Sequence, residues 1–222
     1  MTAAADRSSE PGTTAVALPQ LAVAPHVLVI SLGTARSVRS LVAEWLELDP
    51  GLLPHQAHLE ELLWPAAEPR LGEVAAFMSY REVEGELVGG AAVLSLELIG
   101  PYAGSPAERA DQIATSLRRT AESMGHVEGL TQVERRRTRS GVAAARVRFL
   151  GALAAEPVDA TGAVVEMVAM TPLIEACRWL YPVPDHPDLL WVLVFQTTDL
   201  DHADGLVEEF DRMAASLTWV EP

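Results

Sequence analysis

A chain of 222 residues with 49% apolar and 21% charged side chains can bury a substantial core and is too apolar to stay disordered. Its net charge of −15 argues against general binding to nucleic acid or to an anionic membrane surface. The one cysteine, Cys177, excludes an intrachain disulfide and fits a reducing, cytoplasmic compartment.

Residues 1–20 are mostly Ala, Ser, Thr, Gly and Pro and read as a mobile tail, without the basic start and apolar run of a secretory signal. The remainder, 26–222, reads as one domain. Residues 26–32 predict a strand, which Gly33 and Thr34 turn into a helix with Val38, Leu41, Val42, Trp45 and Leu46 on one face. Asp49, Pro50 and Gly51 stop it, and a second helix over 54–64 carries Leu59, Leu62 and Leu63. From Glu73 the apolar period changes to two, through Val74, Ala76, Met78 and Tyr80. A turn at Glu84, Gly85 and Glu86 then leads to a strand over 91–99.

Ser105, Pro106 and Glu108 form a capping box with proline at the first helical position, opening a helix that is expected to bury Ala110, Ile113, Ala114, Leu117 and Met124. Strands are expected at 132–139, 142–153, 163–170 and 174–181. The strand over 188–198 is apolar on both faces, so it belongs in the middle of a sheet. A last helix follows, with Asp201 as its expected cap and Leu206, Val207, Phe210, Met213, Ala214 and Leu217 on one face. Long strands joined by short turns predict an α+β fold, a central antiparallel sheet flanked by helices with a C-terminal amphipathic helix. No apolar run is long enough to span a bilayer.

The chain contains no Lys, so all 16 basic side chains are Arg, and nine of them stand against five acids between positions 106 and 150. A two-residue turn at Ser140 and Gly141 would place Arg135 opposite Arg146, and Arg137 and Arg139 opposite Ala144 and Val142. Arg135, Arg137, Arg139, Arg146 and Arg148 would then crowd one side of the ribbon as a docking patch for an anionic partner. The alternative is a solvated face paired with the chain's own acids.

Other constellations are less specific. His55, His58 and Glu61 share one helix face but lack a metal-site spacing, and no metal or cofactor is expected. The strand-to-helix turn over 31–37 lacks the glycine-rich and lysine signatures of phosphate loops and reads as a plain turn capped by Thr34. Cys177 alternates with Trp179 and Tyr181 and reads as a small buried hydrophobe. Asp185, His186 and Asp188 lie in a proline-rich turn, which is weak support for proton transfer.

The ending, with Leu190, Trp191, Val192, Leu193, Val194 and Phe195 in a strand, a helix over 206–217 and the tail Thr218, Trp219, Val220, resembles the PsbP-like fold. That fold is shared by the photosystem subunit of that name and by a nuclear import factor that binds the Ran GTPase. The resemblance covers residues 72–220 and leaves the strand-helix-helix segment 26–64 unaccounted for. Because members of that family are mostly non-enzymatic binding proteins, it implies an adaptor or chaperone-like protein whose partner is another protein. A binder or enzyme of a small anionic ligand is the second expectation, and an acidic immunity-type inhibitor of a basic effector the third.

Overall fold

The computed structural model describes residues 16–32, 38–60, 72–100, 102–124, 132–152 and 173–220. In chain order the strands are β1 (Leu18–Gln20), β2 (Leu28–Ser31), β3 (Glu73–Val83), β4 (Glu86–Leu98), β5 (Gln132–Arg137), β6 (Ala143–Ala152), β7 (Leu173–Pro182), β8 (Leu189–Thr197) and β9 (Thr218–Val220). The helices are α1 (Val38–Leu48), α2 (Pro106–Met124) and α3 (Ala203–Ala214), and a 3₁₀ segment, Pro50–His55, runs into helical residues 56–60. Seven strands build one antiparallel sheet in the order β2-β3-β4-β8-β7-β6-β5, and β1 pairs with β9 in a separate ribbon. This is the α+β architecture expected, with the C-terminal helix in place. Among the described residues no helix is long and apolar enough to cross a membrane.

The strand apolar on both faces, β8, is the fourth of the seven. Its odd residues Trp191, Leu193 and Phe195 pack with Phe77, Ala92 and Leu94 beneath α3. Its even residues Leu190 and Val192 pack against Ile113 and Ala114 of α2. On that second face α1 adds a neighbouring cluster, in which Leu41, Val42 and Trp45 meet Leu28, Ile30, Ala76 and Met78. Helices therefore cover both faces, and burial on both faces is what removes alternation from β8. Tyr80 stacks edge-on against Trp45, and burial pushes its hydroxyl up to about 12.

Local signals locate several boundaries. Glu84 and Gly85 both take positive φ, 53° and 89°, the two-residue turn whose twist matches the flanking strands of a hairpin, and Val83 pairs with Glu86 across it. Ser105 and Glu108 close the capping box: the Ser105 N–H donates to Glu108 Oε2 at 2.8 Å and the Glu108 N–H to Ser105 Oγ at 3.4 Å. The backbone bond first, then the side-chain bond, hold the Glu108 carboxyl below its ordinary range. Its contribution is therefore present above the unfolded carboxyl pKa and is lost as pH falls through the folded value.

Two expectations are corrected. Leu18–Gln20, read as the end of a mobile tail, is strand β1, paired residue for residue with Thr218–Val220, and the Ala17 carbonyl accepts from the Trp191 indole at 3.0 Å. Asp201 does not cap α3: the N-cap is His202, and its backbone N–H donates to Asp199 at 3.2 Å. The expected strand at 163–170 lies outside the described residues.

Candidate functional site

The arginine hairpin closes one residue out of the expected register. Thr138 answers its own turn: its N–H donates to the Val142 carbonyl at 2.9 Å and its Oγ1 accepts the Val142 N–H at 3.0 Å. The loop is thus 138–142, and β5 pairs Gln132 with Arg148, Glu134 with Arg146, Arg135 with Ala145 and Arg137 with Ala143. A one-residue slip exchanges the faces of a strand. Arg135 and Arg137 therefore lie on the α2 face and Arg146 and Arg148 on the α3 face. The crowding of five arginines on one side does not occur.

Most of these arginines meet the chain's own groups. Arg135 Nε reaches Asp111 of α2 at 2.9 Å, and Arg137 donates to the Gly141 carbonyl at 3.2 Å. Arg148 bridges Glu175 and Asp204, each at 2.5 Å. Arg146, only 4% exposed, holds Asp211 of α3 with two bonds of 2.9 and 2.8 Å. Arg139 differs. Its backbone N–H donates to the Ala215 carbonyl at the end of α3, and among the described residues its guanidinium meets no acid.

Asp211 is the centre of a polar clamp between α3 and the sheet. Besides Arg146 it accepts the Trp179 indole N–H at 2.7 Å and lies 3.6 Å from the Cys177 sulfur. Tyr181, stacked on Trp179, donates to the Ala214 carbonyl at 2.9 Å. Burial above all, and then the Asp211 charge, raise the Cys177 thiol far above its ordinary pKa, so it stays protonated and is a poor nucleophile. Cys177, Trp179 and Tyr181 share one buried face, as the alternation predicts.

The other side of α3 leaves space. Residues 21–27, leading from β1 to β2, run along the helix as a strap fastened at two points. The Ala22 N–H donates to Ser216 Oγ at 2.8 Å, and His26 pairs with Glu209. Beneath it lies a cavity of about 430 Å³ whose sheet floor includes Phe77, Ala92 and Phe195 and whose helix wall includes Leu206, Phe210 and Met213. Phe195 and Phe210 stack with centroids 5.1 Å apart. Gly90 makes room for that ring, since a Cβ there would fall 2.5 Å from it. The polar lining includes Ser79, which donates to Glu209 at 3.4 Å, with His26 and Glu209 themselves and the exposed Arg139 and Arg212.

Arg139 is the one member of the sequence-predicted set that reaches this cavity. His26, Ser79, Glu209 and Arg212 were not singled out by sequence reasoning. The one signal available was the Gly89-Gly90 pair inside a strand, which marks close approach of another group.

The remaining candidates do not assemble a site. Glu61 of the histidine face and residues 33–37 of the strand-to-helix turn lie outside the described residues. Among the described residues no three His, Cys, Asp or Glu converge as metal ligands. In the 185–188 turn the His186 carbonyl accepts from buried Arg109 of α2 at 2.8 Å, and the Val183 carbonyl does so at 2.6 Å, so the turn serves to anchor that helix. Comparison with protein-family models, with curated proteins and with solved structures finds no match for this chain.

Proposed function

We propose that the protein is a non-enzymatic binding protein for a small molecule with an apolar body, held in the cavity between α3, the strap and the sheet. The observation that carries this reading is the cavity itself. Its volume lies in the range that holds small ligands, and three phenylalanine rings and Met213 line it beside a few convergent polar groups.

The polar groups favour binding over catalysis. Ser79 and His26 meet the same Glu209 oxygen, so the imidazole is not placed to take the Ser79 proton, as nucleophilic activation requires. Each neighbouring arginine on β6 is committed to an acid, which weakens the hairpin as a docking patch and favours the cavity. The resemblance of residues 72–220 to the mostly non-enzymatic PsbP-like proteins points the same way.

Titration with 1-anilinonaphthalene-8-sulfonate tests the reading. Saturable fluorescence enhancement with a single site per chain is expected, together with a raised melting temperature. Met213→Trp, which fills the cavity from the helix side, should abolish the enhancement while the variant stays folded. No saturable signal, or an equal signal in the variant, overturns the proposal.

A further inference from the structure

We infer that the ligand of this cavity is an organic anion, a carboxylate or phosphate on an apolar body, whose charged head is held by Arg139 and Arg212. The inference rests on the small-ligand reading and adds the chemistry of the head group.

The argument is one of charge placement. In a chain of net charge −15, cations are scarce and acids are plentiful. Arg135, Arg136, Arg146 and Arg148 each have a carboxylate within 4 Å. Arg139 and Arg212, which line the cavity, have none among the described residues, and Arg212 spends one nitrogen on the Glu208 carbonyl at 3.4 Å. Their positions are also fixed. Arg212 stands on α3, and the backbone of Arg139 is tied to Ala215 one turn further on. Two forked donors thus line one largely apolar chamber, and each is suited to bidentate capture of a carboxylate or phosphate.

The one acid of the cavity lining, Glu209, is already answered. Glu209 precedes Arg212 by three positions, a rise of about 4.5 Å along the helix. It is paired with His26 and accepts from Ser79. A cationic head would have to displace His26 to reach Glu209, whereas an anion meets two guanidiniums that no carboxylate of the described residues already holds.

Matched probes decide the matter. Two apolar tails, n-decyl and 2-naphthylmethyl, are each offered as the carboxylate, the alcohol and the primary amine, with binding read by calorimetry. The carboxylates are expected to bind about tenfold to a hundredfold more tightly than the alcohols, the range of a charge-assisted hydrogen bond, and the amines more weakly than either. Raising the salt concentration should narrow the gap. The double variant R139S/R212S should bring the carboxylate down to the affinity of the alcohol without changing alcohol binding. Arg137→Ser, the same charge change on the α2 face, should leave the preference intact. Alcohol or amine binding as tight as the carboxylate overturns the inference, as does a preference that survives R139S/R212S or disappears in Arg137→Ser. Failure of all six probes to bind overturns the small-ligand reading itself.

Discussion

The two sides of helix α3 are packed in opposite ways. Toward β6 and β7, Asp211, Arg146, Arg148 and Trp179 all have partners. Asp211 alone answers a guanidinium, an indole and a thiol, and Asp204 reaches Arg148 one stripe away. Toward the strap and β3, Glu209, Met213 and Ser216 border a cavity of about 430 Å³, and the chain facing them is fastened to the helix by polar contacts at Ala22 and His26. A helix clamped on one side can keep its position while the other side stays unfilled. The difference teaches that one helix can be tied to the sheet by charge on one side while its apolar side, stacked on Phe195 through Phe210, still leaves space beside it.

The contrast can be broken from the clamp side with the largest effect. Asp211→Ala leaves buried Arg146 with only the long contact to Glu134 at 3.8 Å and should cost about 3–5 kcal/mol in urea unfolding. Adding Arg146→Met should restore much of that loss, because the buried charge is then gone. Trp179→Phe removes the indole bond to Asp211 together with part of a buried ring and should cost at least about 1.5–3 kcal/mol, the range for a bond to a charged group.

A pH series sharpens the same side. The folded state holds the Cys177 thiol protonated while the unfolded thiol ionises near pH ~8.5, so the unfolded state binds fewer protons above that value and stability must fall as pH rises. The expected slope is about 1.4 kcal/mol per pH unit, and Cys177→Ala should flatten it until the tyrosines contribute at higher pH.

On the cavity side the effects on folding should be smallest. Met213→Trp should change stability by less than about 1 kcal/mol, because the indole enters existing space, yet it should remove probe binding. A large loss of stability there would mean that the two sides do not differ as their packing suggests.

Much of the fold is legible in the sequence because the signals are local. The period-two run from Val74, the Ser105–Glu108 capping box, the turn at Glu84 and Gly85 and the two-faced apolar strand each state their structure within a dozen residues. Each rests on backbone geometry that neighbours along the chain determine. The boundary of the N-terminal tail was misplaced for the opposite reason. Leu18–Gln20 becomes a strand only because Thr218–Val220 lies beside it, some two hundred positions away in sequence.

By itself, then, the sequence determined the class of the fold, the central place of β8, the buried face of Cys177, Trp179 and Tyr181, and the existence of a local excess of arginine. Only the tertiary structure decided what those arginines do. The turn closed between Thr138 and Val142 set the hairpin register and put Arg135 and Arg137 on the face opposite Arg146 and Arg148. Those two meet the chain's own acids, while Arg139 and Arg212 line the same cavity. The cavity, too, belongs to the tertiary level. His26, Ser79, Gly90, Phe195 and Glu209 come from five separate stretches of chain, and an unfilled volume is a property of how packed elements meet rather than of any residue pattern.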